Sequence, residues 1–239
     1  MKKVVQFSGG KDSIVCLHLF KDVGDVQAIY TNTGCAFPHV SDFVSKTCEE
    51  FGVPLIVARP ENSVSDWHKK NGLPADIVPW DSTPFMKTMS KTDFGATLIP
   101  YSTCCAENIW NPMNQALLDN DIKYVIRGSK ECDSKVGVPD GYVDGNGICY
   151  HSPIWDWTDQ DVFEYISDHG INLPDHYSTS GDNDSLDCWC CTAYMGKTGA
   201  ARVSYTKDRY PDLYDSLAPN IALVNAAVSN AVKYYAEGF

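Results

Sequence analysis

The sequence predicts an α/β fold: a doubly wound, mostly parallel sheet with helices on both faces and a helical C-terminal tail. Two observations carry this reading. Short β-branched runs alternate with helix-period runs from residue 3 onward, and neither an internal repeat nor a low-complexity linker interrupts the 239 residues. Strand–helix alternation of this kind favours a parallel sheet between helical layers. The chain reads as one domain over 1–200, with 201–239 a helical extension of the same domain.

In chain order, residues 3–8 (KVVQFS) make a short strand that ends in two glycines. Residues 11–20 place Ile14, Val15, Leu17, Leu19 and Phe20 at helical spacing. A second strand is expected over 26–30 and a third over 54–58. Between them 37–51 reads as a helix, with Val40, Phe43, Val44 and Phe51 facing inward. The stretch 61–100 holds scattered aromatics and weak periodicity, and is expected to be irregular helices and loops over the sheet edge; so long an excursion is more often functional than idle. A helix over 111–118, a strand over 124–127, a hairpin or loop over 137–147 and a strand over 148–154 follow. Thr158 to Asp161 cap a helix that runs to about Asp168 and stops at Gly170. Residues 178–187 form a polar loop, and 218–235 a core-facing helix with Ile221, Val224, Val228, Val232 and Tyr235 on its inner stripe.

Composition narrows the function. Hydrophobic residues are 44% and charged residues 21%, ordinary for a soluble globular protein. No apolar run approaches the ~18–20 residues of a membrane helix, and Met1-Lys2-Lys3 leads into a strand rather than a signal segment. A cytoplasmic protein is expected. Nineteen Lys and Arg against 31 Asp and Glu give a net charge of −12. That balance counts against direct nucleic-acid binding without a partner, because phosphate contacts need clustered cations. A small anionic ligand, a reductant or sulfur-donor protein and self-association remain compatible with it.

The strongest motif is Ser8-Gly9-Gly10-Lys11-Asp12-Ser13 between the first strand and the first helix. The glycines let the backbone approach an anion, and the first helical N–H groups point at it. Ser8 and Ser13 add hydroxyls, Lys11 a positive charge, and Asp12 either holds Mg²⁺ or orients the loop. The structural alternative is a tight turn that merely caps a helix.

This loop resembles the pyrophosphate loop of the ATP pyrophosphatases, the adenine nucleotide α-hydrolase-like superfamily. Four further stretches resemble the phosphoadenosine phosphosulfate (PAPS) reductase family within it. They are Asn32-Thr33-Gly34-Cys35-Ala36-Phe37-Pro38, Gly128-Ser129-Lys130-Glu131-Cys132-Asp133-Ser134, the segment from Ser152-Pro153 to Asp161-Val162, and Cys188-Trp189-Cys190-Cys191-Thr192. Lys130 stands where that family carries Arg, keeping the charge and losing the fork. The resemblance implies an adenine nucleotide (ATP, or adenylyl sulfate or PAPS) held by Ser8, Gly9, Gly10, Lys11, Asp12 and Ser13. Thr31, Asn32, Thr33 and Gly34 would lie along the adenosine, with Gly128, Lys130, Asp133 and Ser134 at its anionic end. Lys11, Asp12 and Lys130 are the candidate catalytic residues.

The chain has ten cysteines. Cys104 and Cys105 are adjacent, and Cys188 and Cys191 form a C-x-x-C far along the chain. Four thiolates suit a [4Fe–4S] cluster, and adenylyl-sulfate reductases carry a similar pattern. Structural zinc and unligated buried thiols are the rival readings; Cys190 is a substitute ligand or a spectator.

The sequence also departs from the reductases. No cysteine follows Cys191, whereas they attack sulfur with one near the C-terminus. The phosphate loop is the ATP-type string, and no basic residues follow the tandem cysteines. Three functions stay open: ATP-dependent adenylation with sulfur transfer, sulfonucleotide reduction through Cys190 or another loop cysteine, and a non-catalytic nucleotide-binding subunit.

Overall fold

A computed structural model describes residues 2–133, 140–179, 186, 188–195 and 199–237. The sheet begins as expected. Strand β1 (Lys3–Gln6) leads into helix α1 (Lys11–Phe20), β2 (Val26–Thr31), α2 (Pro38–Glu50) and β3 (Leu55–Ala58). Side chains on β1 alternate: Val5 joins the core under α1 and α2, while Val4 packs with Ile29, Leu117 and Val125 on the opposite face. Period-two alternation with both faces apolar is what a sheet covered by helices on both sides requires.

The excursion is more regular than its sequence suggests. Helix α3 (Val64–Asn71) is capped by Ser63, whose hydroxyl accepts from Asp66 N, and β4 (Leu73–Ala75) follows. After the short helix α4 (Met86–Met89), β5 (Leu98–Pro100) pairs in parallel with β4 as a separate two-stranded sheet. These strands have only three residues each, too few for a periodic signal. Helix α5 (Tyr101–Cys105), a π-helical turn (Ala106–Trp110) and α6 (Asn111–Asp119) then run without a break.

The main sheet is completed by β6 (Tyr124–Ile126), β7 (Tyr142–Val143) and β8 (Cys149–His151). Its order is β3-β2-β1-β6-β8-β7, parallel except for the antiparallel edge strand β7. From β1 the chain turns to β2 on one side, whereas β6 lies on the other, so a crevice opens at the carboxyl ends of β1 and β6. Helix α7 (Asp159–Asp168) starts at Thr158 in a capping box with Asp161. Helices α8 (His176–Thr179), α9 (Gly199–Arg209) and α10 (Pro211–Glu237) finish the chain. Most of the expected polar loop over 178–187 lies outside the described residues.

The C-terminal helix corrects its sequence reading. It starts at Pro211, runs through Pro219, and buries Leu217, Val224, Ala227 and Ala231. Val232 and Tyr235 of the expected stripe are 64% and 44% exposed. The packing face is set by Leu73, Ala75 and Leu98 of the small sheet and by Phe94 ahead of it, against which small alanines fit closely. No helix among the described residues is long and apolar enough to cross a membrane.

Candidate nucleotide cleft and thiol cavity

The crevice after β1 and β6 contains a cleft of about 390 Å³, within the range of small-molecule sites. Ser8, Gly10, Asp12, Ser13, Thr31, Thr33 and Gly128 line it, with Arg127 and Ser129 beside them. The phosphate loop is tied to itself: Gly10 N donates to Ser8 Oγ at 3.3 Å, and Ser13 Oγ donates to Gly10 O at 2.9 Å. Gly9 has φ +85° and packs under α2, where a Cβ would meet Val40 and Val44 at 3.2 Å. Gly128 lies against the loop's backbone, and a Cβ there would stand 2.6 Å from the Asp12 carbonyl carbon. Asn32 and Gly34 shape the turn after β2, Asn32 Oδ1 accepting from Gly34 N at 3.0 Å, rather than lining the cleft.

The charged end is a closed box. Lys11 and Lys130 are buried behind the cleft wall, at 4% and 1% exposure. Lys130 Nζ meets Asp12 Oδ1 at 2.6 Å, Asp159 Oδ1 at 3.0 Å and Asp133 Oδ1 at 3.3 Å. Lys11 Nζ meets Asp12 Oδ2 at 2.8 Å and Asp159 Oδ1 at 2.9 Å. Burial alone would lower the Lys130 pKa, but its hydrogen bonds to Asp12 and Asp159, with the charges of Asp12 and Asp133, outweigh it and raise the value. Burial pushes the Asp159 carboxyl up, and the two lysines bring it below its ordinary value. Ser134 lies outside the described residues.

Two members of this end were not singled out in the sequence. Asp159 read as a helix cap, yet Thr158 and Asp161 complete that cap between them, leaving Asp159 to bridge both lysines. Tyr177 on α8 accepts a hydrogen bond from Lys11 N at 3.0 Å. The α8 segment is held in turn by His176, whose Nδ1 lies 3.2 Å from His39 Nε2, while His39 Nδ1 lies 2.7 Å from the Tyr210 hydroxyl. Burial, with the neighbouring His39 charge, pushes His176 down to about 4.

The four cysteines of the tandem pair and the C-x-x-C come together. Cys104, Cys105, Cys188 and Cys191 line a cavity of about 60 Å³, with His68, Asn108, Tyr101 and Tyr194. Cys188 and Ile109 line the nucleotide cleft as well, so the two spaces share a wall. Thr33 Oγ1 lies 3.2 Å from Cys188 Sγ across it. Burial, then the neighbouring Cys105 and Cys191, pushes the Cys104 thiol up to about 12. Among the described residues, no three His, Cys, Asp or Glu side chains gather as ligands around one ion.

The C-x-x-C segment is clamped mostly by residues outside the motifs. Arg202 donates to Cys191 O at 3.0 Å and Ala193 O at 2.8 Å. Asp76 accepts from Tyr194 N and Met195 N, and Thr192 Oγ1 donates to Pro74 O at 2.6 Å. Trp189 N donates to Cys35 O at 2.9 Å, and the Cys35 and Cys190 thiols share a hydrogen bond that lowers Cys35 and raises Cys190.

Comparison with known proteins gives these features a family. A Methanocaldococcus jannaschii protein described only as uncharacterized is 25% identical over 214 residues, 87% of this chain and 45% of its own length. The phosphoadenosine 5'-phosphosulfate reductase of Vibrio vulnificus is 25% identical over 192 residues, 77% of this chain and 67% of that enzyme. The chain therefore spans less than half the length of the first relative and about two thirds of the second. In fold, it resembles the phosphoadenylyl-sulfate reductase of Candida auris, solved as a phosphate complex. The TM-score is 0.56 at 19% identity, over 79% of this chain and 82% of that one. Residues 2–194 match the phosphoadenosine phosphosulfate reductase domain, and the chain belongs to that family.

Proposed function

We propose that this chain binds an adenine nucleotide in the cleft and carries out nucleotide-dependent sulfur chemistry, with an iron–sulfur cluster held by Cys104, Cys105, Cys188 and Cys191. The observation that carries this reading is the shared wall: Cys188 faces both the phosphate-loop cleft and the four-thiol cavity. The thiols fit the cluster by donor chemistry, since four sulfurs line one cavity and hydrogen-bonding side chains reach two of them. The adjacent pair Cys104-Cys105 suits a single tetrahedral zinc poorly, which favours a polynuclear group. When bound, such a cluster supplies redox or sulfur-binding capacity beside the nucleotide.

The chain's own residues do the remaining work. Backbone amides at the start of α1 and the Ser8 and Ser13 hydroxyls hold phosphate oxygens. Lys11 and Lys130 stand at that end, and the carboxylates that bridge them fix both ammonium groups. Each Asp12 oxygen meets a lysine ammonium, so its role here is to orient the loop, and no step is assigned to Mg²⁺.

Of the reactions open to this family, cleavage between the α- and β-phosphates of ATP, adenylating a substrate for sulfur transfer, fits the intact SGGKDS loop. Reduction of adenylyl sulfate or PAPS is the second reading, favoured by the reductase among the relatives. It needs a thiolate nucleophile, and Cys190 is 2% exposed with its thiol raised by the Cys35 hydrogen bond and burial. Anaerobic purification with iron and sulfide quantitation, then turnover with ATP and with adenylyl sulfate, separates the readings. Pyrophosphate release supports adenylation and sulfite release supports reduction. Nucleotide binding without either product supports a non-catalytic subunit, and no nucleotide binding rejects the proposal.

A further inference from the structure

The thiol cavity contains two buried polar side chains that no motif accounts for. His68 on α3 and Asn108 in the π-helical turn are 4% and 1% exposed, and both line the cavity. His68 Nε2 lies 3.3 Å from Cys104 Sγ. Asn108 Nδ2 lies 3.8 Å from the same sulfur but makes its shorter bond, 2.9 Å, to Cys104 O. His68 is therefore the closer partner of the sulfur.

Its backbone is well anchored. Ser63 caps α3, and Val64 N donates to Thr33 O at 3.0 Å, tying the helix to the loop whose Thr33 hydroxyl contacts Cys188. At the other end Gly72 N donates to His68 O at 2.9 Å. A ligating thiolate carries no proton, so a hydrogen bond between it and imidazole must run from Nε2–H to sulfur.

We propose that His68 is a positioning residue of the thiol-ligated centre: it donates to the Cys104 sulfur, does not ligate, and sets the centre's retention and reduction potential. This rests on the reading of the four cysteines as cluster ligands. Hydrogen bonds to cluster sulfurs and outer-shell partners of metal ligands tune potential and affinity. A donor withdraws negative charge from the sulfur and favours the reduced state, so losing it lowers the potential.

The test uses the full chain reconstituted anaerobically with ferrous iron and sulfide, as wild type, His68→Leu and His68→Gln. In His68→Leu the iron per chain is unchanged, the midpoint potential falls, and iron is lost to a chelator about 10–100-fold faster. His68→Gln, which keeps an N–H, moves both readouts back toward wild type. Because a buried substitution can impair folding, wild-type protein with isotopically labelled histidine nitrogen gives a readout without mutation. Pulsed electron paramagnetic resonance of its reduced centre shows a weak nitrogen coupling. A strong coupling makes His68 a ligand and overturns the proposal, as does no coupling. Unchanged potential and iron loss in a folded His68→Leu overturn the His68 role but leave the cluster reading intact. A wild type that takes up no iron overturns both.

Discussion

The two ends of the site are built by opposite strategies. The phosphate loop is six consecutive residues, and its charges are paired within the protein: two buried lysines and three carboxylates form one box. The thiol cavity draws its walls from α3, β4, α5, the π-helical turn and the C-x-x-C segment, and its nearest polar groups are neutral. One end is electrostatically preorganised and the other sterically assembled, so substitutions at each should fail differently. The charged end should lose stability and nucleotide affinity together, whereas the thiol end should lose metal while nucleotide binding survives.

The largest effect is expected at the box. Lys130→Met leaves carboxylates facing a buried apolar chain, and breaking a buried pair from one side costs roughly 3–5 kcal/mol. Lys11 still faces Asp12 and Asp159, and both carboxylates are partly exposed, so the low end of that range applies. Urea denaturation should show the loss, and nucleotide titration a fall in affinity of more than about 100-fold. Unchanged stability would mean that the box does not preorganise this end.

Next comes the histidine that holds α8 over the loop. The folded-state pKa of His176, about 4, lies below its ordinary 6.5, so between these values the unfolded chain binds the extra proton. Its stabilising contribution is therefore complete above about pH 6.5 and is lost as pH falls toward 4, by about 3 kcal/mol at the limit. His176→Phe should flatten the dependence of unfolding free energy on pH across that window. If the slope is the same in both proteins, burial does not hold His176 neutral.

At the thiol end, Arg202→Met removes the donor to Cys191 O and Ala193 O. Leaving buried carbonyls short of a partner costs about 1–3 kcal/mol. Iron content after reconstitution should drop while nucleotide affinity stays within about twofold of wild type, a gap of under ~0.5 kcal/mol. Equal loss of both would show that the shared wall couples the two ends, contrary to the division drawn above.

This contrast also explains what was legible in the sequence. The phosphate loop, the strands through β3 and the pairing of Cys104-Cys105 with Cys188 and Cys191 are local strings or family patterns, and local strings survive without knowledge of packing. Asp159 was obscured because the first turn of a helix is where acidic residues also serve as caps. His68, Asp76 and Arg202 act on partners 36, 118 and 11 residues away, and no spacing rule links such positions. The C-terminal stripe held at Val224 and Val228 and missed at Val232 because size decided the face: Ala227 and Ala231 let α10 approach the small sheet, while Val232 is left outside.

The smallest effect concerns a hydroxyl at the phosphate loop. Tyr177 Oη accepts from Lys11 N at 3.0 Å. A phosphate oxygen seated at the start of α1 requires the same amide. In the free protein, Tyr177→Phe forfeits a neutral hydrogen bond, about 1 kcal/mol. In the complex, where phosphate takes the amide, that bond is already gone. Binding free energy is the difference between the two states, so the variant should be slightly less stable yet bind polyphosphate about fivefold more tightly, the ratio equivalent to ~1 kcal/mol. Calorimetric titration of both proteins with ATP reads this directly. Weaker binding by the variant would mean that the hydroxyl contacts the ligand instead of standing in for it, making Tyr177 part of the preorganised end.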